Sequence, residues 1–506
     1  MIDHDVDIVI VGSGAGGGTA AHALRHLPRE GVSVLVLEQG PRLAQEEFTG
    51  REMEMAAALF EDGGGVLTAD GAMTLAYGRI YGGSTVAYTG TSLMLPDRVL
   101  SRWDIPGLTH DDVTRRSTKY AEQNNVHFLD EEDINENNHL FVQGCRAIGC
   151  HAEQFPLNLK GCRGSGLCNL GCPNFAKQGT HRVQLPAAER DGVEVVTRAE
   201  VRSIKDRVLH VHVTGVPHGA KGAPSEWSLG DHRVRARCVI AAGGSIGSTA
   251  LLLRSGFGAR LTQLGERYTC HPAHILVAEH PRAIVNDVGH PKSYYLDRSD
   301  EGFILETCMY FPFITAKNMT GFGAEHSALM RAFPRLQMIL VLAHDKAVPG
   351  NRITVDASGK AVVHYSFTPA VVHALVAATR MSAGIFFGAG ADRVHAPSAD
   401  PPLIERKDAD RVDELVSDRH FKTHRISISA AHMMGGCGMG RTAADSVTDS
   451  YGRVHGVPWL RVADSALFPD SSEVNPYLTV MALADRVADG VLADLPALRA
   501  APPVAA

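Results

Sequence analysis

The chain has 506 residues, more than a single hydrophobic core sustains, so two large structural units are expected. Its 44% apolar and 21% charged residues are ordinary for a globular protein, and a formal charge of −7 with no basic run excludes a broad nucleic-acid surface. Nine cysteines, an odd number, follow an opening without the pattern of a secretory signal, which leads us to expect a reducing compartment, the cytoplasm.

The opening stretch, "DIVIVGSGAGGGTAAHAL", runs from an apolar segment, Ile8 to Val11, through Gly12, Gly14 and Gly17 into a helical Ala/Leu pattern. A strand feeding a tight glycine turn and then a helix is the dinucleotide-binding pattern. In that pattern Gly14 lets the backbone approach a pyrophosphate, Gly17 lets helix and strand pack closely, and the helix amino terminus offers N–H groups to phosphate. A second apolar run, "VSVLVLEQG", ends in Glu38 at the distance of a ribose-binding acid. An acid there favours free ribose hydroxyls, as in FAD or NAD, over a 2′-phosphate.

Residues 160–180, "KGCRGSGLCNLGCPNFAKQGT", bring Cys162, Cys168 and Cys172 within eleven positions. They read as metal ligands, as a disulfide with a spare thiol, or as small residues in a tight loop. Further on, "RARCVIAAGGSIGSTALLLRSG" predicts another buried strand, a glycine turn and a helix opening at Ser248. The runs "HILVAEH", "GFILETCMYF", "RLQMILVLAH", "RITVD" and "AVVHYSF" alternate as antiparallel strands do. The apolar stretch 370–391, interrupted by His373 and Arg380, reads as a buried helix behind that sheet and not as a membrane span. The tail "RAAPPVAA" reads as disordered.

Toward the carboxyl end comes "SAAHMMGGCGMGRTAADSV…VADSALFPDSSEVNPYLTVMALADRV". With the first fifty residues and "YGRIYGGSTVAYTG" at 77–90, it resembles the glucose-methanol-choline (GMC) family of flavin oxidoreductases. The resemblance implies an α/β Rossmann-like FAD-binding domain with an α+β substrate domain built on an antiparallel sheet. The FAD-binding domain is expected over 1–95, 155–270 and 426–495. Substrate-domain and connecting segments are expected over 96–154 and 271–425, and a disordered tail over 496–506.

By the same resemblance, Gly82, Gly83 and Ser84 contact the cofactor, the backbone at Val201 faces adenine, and Asp464 lies at the ribityl side. His432 and Asn475 correspond to the active-site pair. Removing a hydride from carbon and a proton from oxygen requires a base near neutrality, which suits imidazole, and an amide suits orientation of the hydroxyl. His432 is expected to titrate as an ordinary histidine; His271, His424 and His455 read as structural, and Met433, Met434 and Met439 as packing.

Tyr88 stands where many family members carry Asn, so it either stacks differently on the flavin or contacts substrate. Glu473 reads as a solvated loop charge, with a substrate-facing role as the alternative. The 77–92 loop has no histidine for covalent attachment, so FAD is expected to be noncovalent. A subset of the family holds an iron–sulfur cluster on a similar cysteine loop, but other members carry such a loop without one. The structural loop is preferred here. Zinc lacks a fourth ligand other than His181.

The implied activity is oxidation of a CH–OH group, with a bulky or apolar alcohol suggested by the apolar strands. Sugar-like or aminoglycoside substrates, or non-oxidative chemistry on the same fold, are the alternatives. The electron acceptor would be oxygen, a quinone or a redox protein.

Overall fold

The computed structural model describes residues 2–399 and 404–500. Its first sheet is centred on the strand Ile2–Val11, whose Ile8, Val9 and Ile10 are fully buried. Val34–Leu37 and Gly230–Ala241 flank it in parallel, and Glu194–Val196 and Val457–Val462 extend the parallel set outward on either side. Strands buried on both faces carry continuous apolar runs, which is why "VLVL" and "CVIA" lack alternation. Val11 is level with Leu37 and Ala241, and Ala241 with Val462, so four strands end in one row. An antiparallel hairpin, Ala199–Lys205 with Val208–Val213, pairs onto Gly230–Ala241.

The helix after the second glycine turn spans Gly244–Arg254, opening one turn before Ser248. Ser248 lies inside it and reaches back, its Oγ accepting from Gly243 N at 2.9 Å.

The second sheet is largely antiparallel. Ala273–Glu279 pairs with Leu336–Ala343, which pairs with Phe303–Thr307, then Tyr294–Arg298. Helix Pro369–Gly388 packs behind it, burying Val371, Ala374, Leu375 and Ala378. It is the one helix among the described residues long and apolar enough to cross a membrane, and much of it is enclosed by the protein. Two strand expectations need correction: Arg352–Val355 and Ala361–His364 form a separate two-stranded hairpin outside the sheet. Alternation predicts that a strand pairs, not with which partner.

The segments Val66–Leu67, Met73–Leu75 and Ile428–Ala430 join the second sheet, although the sequence places them in the first unit. The expected tail also starts too early. The helix Tyr477–Ala500 continues through Pro496 and buries Leu498 against the first core, while 501–506 lie outside the described residues.

That long helix docks on His110–Gln123, whose Thr109 accepts from Asp112 N as N-cap. At the seam Asp485 takes Arg116 Nη1 at 2.5 Å, Lys119 Nζ at 2.7 Å and Tyr120 OH at 2.6 Å. Removing one partner of a buried charge cluster leaves the others uncompensated, typically at a cost of about 3–5 kcal/mol. Asp485→Ala should therefore lower the thermal inactivation midpoint by several degrees. An unchanged midpoint would show that the helix docks by apolar packing alone.

Candidate active site

The row of strand ends builds a crevice. Gly12 follows Val11 at φ +104, Glu38 follows Leu37, Ala242 follows Ala241, and Asp464 lies two residues past Val462. A Cβ on Gly12 would meet Ala242 O at 2.4 Å, and one on Gly17 would meet Gly12 O at 1.9 Å. Gly14 differs: nothing lies closer than Gly83 Cα at 3.8 Å, so its open face belongs to the cavity. The backbone is thus packed solid on one side and bare on the side where a ligand must approach.

Glu38 accepts from Ser13 N at 3.0 Å, Ser13 Oγ at 2.6 Å and Gly40 N at 2.7 Å. Ser13 Oγ in turn accepts from Gly82 N at 2.9 Å, tying the 82–84 loop to the first turn. Gly82 and Gly83 both have positive φ, and Ser84 Oγ closes the loop by accepting from Gly78 N at 2.9 Å. Ser13 carried no signal in the sequence beyond lying inside the glycine turn. Burial raises the Glu38 carboxyl, opposed by these donors. Burial also pushes Asp464 up to about 6, although it accepts from Ser248 Oγ at 2.5 Å, Ala466 N at 2.7 Å and Gly244 N at 2.9 Å. Val201, on the adjoining hairpin, completes this wall of a cavity of about 790 Å³. Bare glycine faces, converging N–H groups and a carboxylate at the second strand end fit a dinucleotide.

At the far end of the same cavity stand His432 and Asn475, with His432 Nε2 3.5 Å from Asn475 Nδ2. His432 follows Ile428–Ala430, and Asn475 precedes helix Tyr477–Ala500. Asn475 Oδ1 has no protein partner.

His271 corrects the sequence reading. Ala273 pairs with Ser429 and Thr269 with Met434, so His271 and His432 face each other between the two pairings. Their Nδ1 atoms are 2.9 Å apart, and His271 Nε2 lies 3.0 Å from Ser471 Oγ. In place of the ordinary histidine range, burial, then the nearby Lys292 charge, pulls His432 down to about 3. Burial, His432 and His344 likewise hold His271 well below the usual range. His455, by contrast, lies outside the cavity lining and bonds Ser446 Oγ at 3.0 Å.

Two further residues went unnoticed in the sequence. Glu306, in strand Phe303–Thr307, accepts from Asn475 Nδ2 at 3.2 Å and pairs with Lys292. A glutamate inside "FILET", a strand with every residue buried, was the available signal.

Glu473 is neither solvated nor turned to the cavity: it pairs with Arg98 at 2.7 Å and Arg102 at 2.6 Å. Its backbone, at φ +58, makes the bend that presents Asn475. Tyr88 lines the cavity, packs on the Tyr477 ring at 5.4 Å and accepts from Asn158 Nδ2 at 2.6 Å.

The cysteine loop is organised by Lys177, buried to 1% exposure, whose Nζ donates to Tyr88 O at 2.5 Å and Cys168 O at 2.6 Å. Gly164 N donates to Cys162 Sγ at 3.4 Å, and Ala176 N to Cys172 Sγ at 3.3 Å. Burial pushes the Cys168 thiol up to about 12 and also raises Cys162. Among the described residues no three His, Cys, Asp or Glu side chains converge as a metal-binding group, and all nine cysteines are free. His181 is a neighbour of Gly82, its Cβ crowding that glycine's vacant side.

Residues 56–273 and 349–484 match the GMC oxidoreductase family, and residues 10–67 match an NAD(P)-binding Rossmann-like domain. An uncharacterised GMC-type oxidoreductase of Mycobacterium tuberculosis is 31% identical over 504 residues, covering 97% of this chain and 77% of that protein. A long-chain-alcohol oxidase of Arabidopsis thaliana is 25% identical over 535 residues, covering 94% of this chain and 66% of its own. The solved structure of pyridoxine 4-oxidase from Mesorbium loti superimposes with a TM-score of 0.68 at 16% identity, covering 96% of this chain and 99% of that one. The family match across both structural units and the extent of the Mycobacterium relative's similarity agree: this chain belongs to the GMC oxidoreductase family.

Proposed function

We propose that the protein binds FAD noncovalently in the glycine-walled crevice and oxidises the CH–OH group of an apolar alcohol to a carbonyl, with His432 as base. The observation that carries this is the pairing of an imidazole nitrogen and an amide N–H 3.5 Å apart, opening on the cavity. An alcohol oxygen is both donor and acceptor, so one hydroxyl inserted there donates to His432 Nε2 and accepts from Asn475 Nδ2. A contact of 3.5 Å is too long to compete strongly with such a bridge.

Bound flavin would supply the hydride acceptor. The chain's own part is to take the hydroxyl proton at His432 Nε2 and to hold the oxygen through Asn475. It also keeps water away from both: Leu340, Leu342, Ala273, Cys308 and Met309 roof this end of the cavity. Their apolar surface favours an alkyl chain over a polyol. Noncovalent binding is supported by the 77–92 loop, which holds neither histidine nor cysteine.

The reading is tested by mixing holoprotein with an alcohol panel under nitrogen and following flavin absorbance. Long primary alcohols and bulky apolar secondary alcohols should bleach it faster than sugars. Faster bleaching by sugars would sink the substrate assignment, and no bleaching by any alcohol would sink the reaction. Acid precipitation should leave the yellow colour in the supernatant; colour in the pellet would mean a covalent link.

His432→Ala should slow the reductive half-reaction by on the order of 10²–10⁴, the usual worth of a positioned base. Asn475→Ala should slow it less, and flavin content should persist in both. Near wild-type bleaching by His432→Ala would assign the base elsewhere.

The pH dependence follows from burial. A base acts deprotonated, and His432 is held at about 3, so its active form is complete well below neutrality. The kcat/KM profile should be flat across the ordinary histidine range and fall only in strong acid. A rise centred near pH 6.5 would mean that His432 keeps its model-peptide ionisation.

A further inference from the structure

A buried carboxylate imposes a direction on hydrogen bonds that neutral groups leave open. Glu306 has a side chain 1% exposed and forms an ion pair with Lys292 Nζ, in which its oxygens only accept. Its Oε1 lies 3.2 Å from Asn475 Nδ2, which therefore has to be the nitrogen end of the amide. The second hydrogen of that nitrogen is directed at His432 Nε2, 3.5 Å away, a long contact that a lone pair there suits and a second N–H would oppose. A neutral imidazole carries one N–H, so the proton of His432 is on Nδ1. Nδ1 faces His271 Nδ1 at 2.9 Å, which must accept, leaving the His271 proton on Nε2, 3.0 Å from Ser471 Oγ. The run of donors and acceptors thus extends from Lys292 to Ser471.

We propose that the Lys292–Glu306 ion pair sets the tautomer of His432 through Asn475, with His271 holding the opposite ring nitrogen, so that Nε2 is the unprotonated atom facing the cavity. Lys292, Glu306 and His271 are positioning residues: they act through Asn475 and His432. The inference deepens the proposed role of His432 as base, but the tautomer belongs to the resting protein and is observable without turnover. Without Lys292, nothing fixes the buried Glu306 side chain as an acceptor only. The Asn475 amide then loses its reason to present nitrogen, and His432 its reason to keep Nε2 bare.

The test is nitrogen NMR of holoprotein labelled with 15N-histidine, with His432 resonances identified by their loss in His432→Gln. Wild-type protein should show Nδ1 protonated and Nε2 bare. Lys292→Met should give mixed tautomers and at least about a tenfold slower reductive half-reaction, as misplaced tautomers do in triad enzymes. Lys292→Arg should restore both. Glu306→Gln, which keeps the volume but presents an interchangeable donor and acceptor, should give the same mixture if Lys292→Met fails to fold. His271→Asn, with an acceptor oxygen at the same branch, should keep Nδ1 protonated where His271→Ala does not. A proton on Nε2 in wild type, or an unmixed Nδ1 tautomer in Lys292→Met, Glu306→Gln and His271→Ala alike, would overturn the proposal. Mixed tautomers with an unchanged reductive rate would support the proposal and remove His432 as base.

Discussion

Four parallel strands ending in one row are the constraint from which the rest of the site follows. Because Val11, Leu37, Ala241 and Val462 share a register, the chain must turn four times within one narrow strip. Backbone crossing backbone at that density leaves no room for side chains, which is why added Cβ atoms on Gly12, Gly16 and Gly17 would all strike main-chain oxygens. The same crowding concentrates N–H groups. Glu38 and Asp464 are satisfied by those N–H groups and by serine hydroxyls, not by cations. A carboxylate compensated by dipoles keeps capacity to accept from ribose or ribityl hydroxyls, whereas one saturated by arginine would not.

The second sheet does for the His432 end of the cavity what the first does for the glycine-walled end. Its register puts His271 opposite His432, and strand Phe303–Thr307 brings Glu306 to Asn475. Burial then decides the charge states. Two imidazoles in contact remain neutral because desolvation outweighs any gain from protonation, while Glu306 is matched by Lys292 in a buried ion pair. One matched pair keeps a fixed polarity at the centre of an otherwise apolar roof.

What was legible in the sequence was what acts over short spans. The spacing of Gly12, Gly14, Gly17 and Glu38 is a local signature, because turn, helix and second strand follow directly from one another. His432 and Asn475 were legible only through resemblance, since one histidine among 25 has no distinguishing spacing. His271, Lys292 and Glu306 were not legible as site residues. His271 meets a partner 161 positions away and Glu306 one 169 away, contacts set by sheet register, which alternation does not specify. Glu473 misled for a related reason: an acidic residue in a loop reads as solvated, but here Arg98 and Arg102 come from a helix some 370 positions earlier.

The cysteine loop shows how a conspicuous motif can owe its place to a neighbour. Lys177 is sealed from water with no carboxylate beside it among its hydrogen-bond partners, and burial pulls it down to about 8. Such a cation is tolerated only where fixed oxygens replace its hydration. The carbonyls of Tyr88 and Cys168 do this, so the loop must fold back over the ammonium to deliver one of them. The small residues around Cys162, Cys168 and Cys172 then follow from the tightness of that fold: Gly161, Gly164, Gly166 and Gly171 all take positive φ. Tyr88, the other anchor, lines the cavity through its ring while its carbonyl is pinned from behind. The loop thereby sets the position of the Tyr88 ring in the cavity wall, and burial pushes its Cys162 and Cys168 thiols up.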